Sequence, residues 1–158
     1  MKNKEFENLF MKYKGDIYRL AYTYVNNEVD ALDIVQETAY QAYISRDTIR
    51  DKEKFKSWIL KIAVNKSKDM LRKNRGILLE ELSKARKLGS KDNDSINLFM
   101  DNLKNLSLEE KNIIVQKIYF QYTFEIISEK LTIPIGTVKS RYYRALEKLR
   151  LEESKYER

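Results

Sequence analysis

The chain has 158 residues, 42% hydrophobic and 35% charged, enough apolar material for one folded domain or two small ones. Lys and Arg outnumber Asp and Glu by 31 to 24, a net charge of +7 that favours a polyanionic partner, while the absence of Cys and His removes disulfides, thiolate and imidazole metal sites and the usual general base. No apolar run could span a bilayer, the polar start MKNKEFENL is no signal peptide, and Gly (4) and Pro (1) are scarce, so a cytoplasmic, all-α protein without cofactor is expected.

Phe6, Leu9 and Phe10 recur at helical spacing between Glu5 and Met11, and Ile17, Leu20, Ala21, Tyr24 and Val25 form a second stripe. Asn26 and Asn27 interrupt the pattern and predict a helix end. A helix over 29–44 follows, with Leu32, Val35, Ala39 and Ala42 facing inward. The polar stretch 45–54 reads as a loop. A fourth helix, over about 55–73, carries Phe55, Ile59, Ile62, Ala63 and Met70 on its core face. Trp58 and Asn65 lie on the edge of that face, beside Lys61, Lys68, Arg72 and Arg75, and Asp69 is the single acid between 61 and 75. An aromatic next to a basic ridge suits single-stranded nucleic acid, because bases stack on the ring while cations follow the phosphates. A core tryptophan beside a solvated basic face is the plainer alternative.

Gly76 opens a stretch of mixed charge that runs through Gly89-Ser90 and the cluster Lys91-Asp92-Asn93-Asp94-Ser95; its start, Ile77-Leu78-Leu79, could continue as a short helix, and 76–97 as a whole reads as a linker. The helical pattern resumes with Leu98, Phe99, Leu103 and Leu106, then Ile113, Ile114, Ile118 and Tyr119. Ser107 followed by Glu110 forms a capping box. The stretch TFEIISEKLTIPIGTVKSRYYRALEKLR, 123–150, reads as two short helices joined by a turn at Thr132 and Ile133. Phe124, Ile127 and Leu131 face inward from the first, and Pro134 suits the opening turn of the second. At about 100° per residue, Val138, Tyr142, Ala145 and Leu149 share one narrow face and Ser140, Tyr143, Arg144 and Glu147 the opposite one. Thr137, Lys139 and Arg141 sit on the flanks. This is the pattern of a helix-turn-helix whose second helix enters a DNA major groove.

IGTVKSRYYRALEKLR resembles the recognition helix of the bacterial sigma factors, in particular the small extracytoplasmic-function group, in which this helix reads the minus-thirty-five promoter element. FKSWILKIAVNKSKDMLRKNR resembles the segment of those proteins that melts the promoter and grips the non-template strand. ALDIVQETAYQAY resembles the helix whose Asp-x-x-Gln-Glu pattern binds the clamp helices of the RNA polymerase β′ subunit. The blocks stand in the family's order along almost the whole chain.

The resemblance implies two small helical domains on a flexible tether. Residues 1–75 dock on polymerase and capture the opened minus-ten element, 76–97 link, and 98–158 carry the helix-turn-helix. It implies Asp33, Gln36 and Glu37 as the polymerase edge, and Trp58, Lys61, Asn65, Lys68 and Arg72 against the melted strand, with the loop 46–56 holding a flipped base. Lys139, Ser140, Tyr143 and Arg144 would meet base edges. Thr137 and Arg141 would meet phosphates, Thr137 near the helix start where N–H groups favour anions. The implied partners are core RNA polymerase, through β′ and β, promoter DNA, and an anti-sigma factor, often membrane-bound. No catalytic step or small-molecule substrate is implied.

Three departures from the family pattern bear on packing: Ile127 stands where Ala is usual, Leu106-Ser107 replaces a frequent Leu-Pro, and Tyr122-Thr123 lacks a commonly seen Gly-Leu-Ser type of turn. Two other classes stay open. One is a stand-alone helix-turn-helix regulator with an N-terminal dimerisation domain. The other is a nucleic-acid enzyme with carboxylate-held Mg²⁺, for which the adjacent pairs Glu80-Glu81 and Glu109-Glu110 diverge on a helix and form a poor cage.

Overall fold

The computed structural model describes residues 1–85 and 103–156, with side-chain surroundings for 1–74 and 103–149. The described elements are helical: α1 (Asn3–Val25), α2 (Glu28–Ile44), α3 (Phe55–Ala85), α4 (Leu108–Ile118), α5 (Phe124–Leu131) and α6 (Ile135–Tyr156). Among the described residues no helix is long and apolar enough to cross a membrane. The chain divides into two compact units, 1–90 and 91–158.

In the first unit α1, α2 and α3 pack pairwise against one another. The two apolar stripes expected around residues 5–11 and 17–25 belong to one 23-residue helix that runs through Gly15. Burial of Phe6, Ile17, Leu20, Ala21 and Tyr24 against the other two helices outweighs the weak helix propensity of one exposed glycine. The helix ends where the asparagines predict. Asn26 takes the left-handed conformation at φ 58° and its N–H donates to the Tyr22 carbonyl. Asn27 then caps α2, its side-chain oxygen accepting from the Asp30 N–H at 2.8 Å. Asp30 in turn accepts from the Asn74 side chain at 3.1 Å, which ties the start of α2 to α3.

The inward face of α2 differs from expectation. Ala31, Ile34, Val35, Thr38 and Ala42 are buried, whereas Leu32 is 47% exposed and Ala39 only partly covered. Apolar residues lie on most sides of this helix, so spacing alone does not choose the face; contact with α1 and α3 does. On α3 the buried residues are Phe55, Ile59, Leu60, Ala63 and Ser67, with Ile62 and Met70 at the margin. Ser67 enters the core because its hydroxyl donates to the Ala63 carbonyl at 2.8 Å. The helix continues through Gly76 to Ala85, so the expected linker begins within it and the rest of 86–97 lies outside the described residues. Between α2 and α3 the expected loop holds two single 3₁₀ turns, Arg46–Thr48 and Lys52–Lys54.

The second unit is a compact trio in which α4, α5 and α6 pack pairwise. Its centre is Ile113, Ile127 and Val138, one residue from each helix and each fully buried. Phe124, Leu131, Ile133 and Tyr142 close around them. Ile127, in place of the usual small residue, is therefore a core residue here. The Ser107–Glu110 capping box forms at α4 as predicted.

Gly15 offers a direct test of the α1 packing. A Cβ built there would meet only the tip of the flexible Arg19 side chain, at 3.3 Å. Gly15→Ala is expected to raise unfolding stability by roughly 0.5–1 kcal/mol. Chemical denaturation checks this, and a destabilised variant would show that the helix is not continuous at that point.

Candidate nucleic-acid interface

The helix-turn-helix is built by local chemistry. Thr123 caps α5, its hydroxyl oxygen accepting from the Ile126 N–H at 3.2 Å. Thr132 ends α5 in the left-handed conformation, φ 56° and ψ 47°, and its N–H donates to the Ser128 carbonyl. The Ser128 hydroxyl donates to the Ile133 carbonyl at 2.5 Å, and the Ile133 N–H returns to the Ser128 carbonyl at 3.2 Å. These bonds close the turn between the two helices. Pro134 lies just before α6, not inside its first turn, and its carbonyl accepts from the Thr137 and Val138 N–H groups.

On α6 the predicted division holds. Val138, Ala145 and Leu149 are buried and Tyr142 packs against the core, while Lys139, Ser140, Tyr143, Arg144 and Glu147 are exposed. Tyr143 is 58% exposed, yet its ring is fixed from behind by Phe124 at 6.1 Å and Tyr142 at 5.3 Å. Lys139 reaches back over the Phe124 ring at 5.9 Å. Ser140 donates to the Thr137 carbonyl at 3.2 Å. Thr137 and Arg141 are half-buried on the flanks. Arg141 pairs with Glu109 of α4 at 2.9 Å, a partner that helical spacing does not reveal.

A second, more buried ion pair holds α6 two turns further on. Lys148 donates to Glu110 at 2.9 Å, and the same carboxylate accepts from the Ser107 N–H at 2.8 Å. Burial alone would raise the Glu110 pKa; the Ser107 bond and the Lys148 ammonium more than offset it and hold the carboxyl below its usual range. Glu110 is thus both part of the α4 cap and the anchor of α6.

In the first unit, Trp58, Lys61, Asn65, Lys68 and Arg72 fall on one stripe of α3, within a sector of about 80°. All five retain exposure. Trp58 is half-buried, its ring tilted against Phe55 at 5.6 Å, so it is partly core and partly surface. Arg72 pairs with Asp69 at 3.2 Å, an exposed contact of little weight. The Arg75 side chain lies outside the description. Phe6 joins Tyr43 at 5.7 Å and Phe55 at 6.0 Å, so aromatic packing runs from α1 through the end of α2 to the Trp58 helix. The turn beside this stripe is pinned as well. Arg46 lies 4.0 Å over the Tyr43 ring and donates to its carbonyl at 2.7 Å, and Lys52 pairs with Glu5.

Asp33, Gln36 and Glu37 are all exposed on α2. Around them lie large apolar side chains: Val29 at 77% and Tyr40 at 70% exposure, which sequence reasoning passed over, and Leu32 at 47%, which it placed inward. Only the packed register of α2 reveals this apolar, acid-edged face.

Comparison with known proteins identifies what these units are. Residues 9–77 match the family model of sigma-70 region 2 and residues 103–151 that of sigma-70 region 4. The chain is 39% identical to the RNA polymerase sigma factor SigV of Bacillus subtilis, covering 90% of this chain and 87% of that protein. It is 30% identical to the ECF RNA polymerase sigma factor SigW of the same organism, over 92% and 87%. The fold matches the sigma factor RpoE of Bartonella quintana, solved in complex with the anti-sigma factor NepR, with a TM-score of 0.69 at 22% identity over 96% and 98% of the two chains. CnrH, solved with the cytosolic domain of CnrY, matches with a TM-score of 0.60 at 22% identity over 94% and 86%. Two helical units carrying regions 2 and 4 define a sigma-70-type transcription-initiation factor. The chain belongs to its extracytoplasmic-function family.

The Glu110 anchor makes a pH prediction. A carboxyl whose pKa is lowered on folding contributes stability above its unfolded value, and loses it as pH falls through the lower folded value. The stability gap between the parent chain and Glu110→Gln, measured by urea unfolding, should be constant from neutrality to about pH 5 and shrink in more acidic solution. A gap independent of pH would contradict the stabilisation of the Glu110 carboxylate by the Ser107 N–H and Lys148.

Proposed function

We propose that this sigma factor binds core RNA polymerase and directs it to promoters through two separate DNA contacts, without a catalytic step of its own. The observation that carries this reading is the pair of exposed, basic and aromatic helix faces, each backed by its own apolar core in a different unit. On α6, Lys139, Ser140, Tyr143 and Arg144 meet base edges of the upstream duplex element, and Thr137 and Arg141 meet its phosphates. On α3, Trp58 and Asn65 meet bases of the opened strand while Lys61, Lys68 and Arg72 follow its backbone. The exposed tryptophan edge and its cationic neighbours suit a strand whose bases are already unstacked.

Docking on polymerase falls to α2. Asp33, Gln36 and Glu37 present acidic and amide groups to a basic partner, and Val29, Leu32 and Tyr40 supply apolar area beside them. A polar edge sets orientation and a desolvated apolar patch supplies affinity. Residues 1–75 thus act as the docking and strand-capture module, 98–158 as the duplex reader, and the stretch between them as the tether. An anti-sigma partner is inferred by likeness to the two solved neighbours described above. The site of action is the cytoplasm, where the template and polymerase are.

Transcription reactions with and without core polymerase test this reading. Core enzyme should start at selected promoters only when the chain is added, and the chain alone should bind those duplexes weakly. Tight sequence-specific binding by the chain alone, with no promoter selectivity gained by core, would establish the stand-alone regulator instead. Glu37→Lys should weaken association with core by about tenfold or more, since it sets a cation against a basic surface. Unchanged association would remove α2 as the docking edge.

A further inference from the structure

The first turn of α4 offers two adjacent carboxylates to two cations on one flank of α6, and they are not equivalent. Glu110 is 7% exposed at its side chain and fully engaged by Ser107 and Lys148. It fixes the back of α6. Glu109 is 67% exposed and contacts Arg141 at 2.9 Å. The Glu109 contact is the more exposed of the two, and solvent screens it more than the Glu110 tie.

Arg141 sits at the border between the buried and outward faces of α6, on the same flank as Thr137 and Arg144. It is the flank cation assigned to a DNA phosphate. A carboxylate and a phosphate present the same oxygens to a guanidinium, so Glu109 occupies the position of the ligand that Arg141 would take from DNA.

We propose that Glu109 is a restraining residue of the reading helix, an internal stand-in for a backbone phosphate that holds Arg141 until DNA displaces it. This rests on the assignment of α6 as the duplex-reading helix. The restraint lowers affinity equally for all sequences, because phosphate contacts carry no base information. It sets the overall affinity of upstream binding and its salt dependence, and leaves the discrimination between matched and unmatched sites to Lys139, Ser140, Tyr143 and Arg144. Glu109 also lies in the negatively charged first turn that favours the α4 macrodipole, which gives the position a folding role independent of Arg141. The test therefore has to separate the two.

The experiment is binding of reconstituted holoenzyme to a promoter duplex and to the same duplex with a scrambled upstream element, across a range of salt. Glu109→Gln should bind both duplexes about two- to fivefold more tightly at low salt, the scale of an exposed ion pair. The gain should fade as salt rises, steepening the salt dependence by up to about one unit of log–log slope. In Glu109→Gln/Arg141→Gln the gain should vanish. Glu109→Asp keeps the charge but shortens the reach, and should show part of the gain. Equal or weaker binding by Glu109→Gln would overturn the proposal, as would a gain that survives Arg141→Gln, which would be a general effect of removing one negative charge. If the parent holoenzyme itself fails to distinguish the two duplexes, the assignment of α6 falls first and the proposal with it.

Discussion

Ile113, Ile127 and Val138 come from three different helices and meet where water cannot reach. Each such aliphatic side chain contributes roughly 1.5–3 kcal/mol when fully buried. A unit this small has few others to spare. Their meeting point fixes which side of α6 faces inward, and so which side stays exposed. With Val138 and Ala145 at the back, Ser140, Tyr143, Arg144 and Glu147 can only point out. A change of one residue in register would turn Lys139 and Tyr143 toward the core and dismantle the outward face.

The same constraint operates in the first unit with a different payload. Phe55, Ile59, Leu60 and Ala63 hold the back of α3 against α1 and α2, leaving Trp58 and the basic stripe half or fully exposed. Trp58 is the hinge of that arrangement. One side of its ring packs on Phe55, and the remainder is available. A platform for a flipped or stacked base has to be rigid before the base arrives, because ordering it afterwards would subtract from affinity. The Phe6–Tyr43–Phe55 packing and the Arg46–Tyr43 contact support the Trp58 region from behind, as the proposed role of Trp58 requires.

Much of this was legible in the residues themselves. The bounds of α5, the cap at Ser107, the asparagine break after α1 and the two faces of α6 follow from turn chemistry and a clear 3.6-residue period. What was not legible depends on tertiary packing. Val29, Ala31, Leu32, Ile34 and Val35 surround α2, so its pattern fits more than one inward face, and Leu32 emerges on the surface only once α1 and α3 have chosen. Gly76 marks a change in the sequence yet lies within α3, and Gly15 lies within α1, where the burial of residues on either side carries the helix through. The Glu109–Arg141 contact joins residues 32 positions apart, and no local spacing announces it.

The account requires that the two units act at different stages: α6 on duplex DNA, α3 on the separated strand. The most direct measurement compares Trp58→Ala and Arg144→Ala holoenzymes on a fully paired promoter and on one with a mismatched, already open minus-ten segment. Opening is read by permanganate reactivity and initiation by transcript yield. Trp58→Ala should be defective on the paired template and substantially restored on the open one, while Arg144→Ala should be impaired on both. Equal defects of Trp58→Ala on the two templates, or rescue of Arg144→Ala by the open segment, would contradict the division of labour.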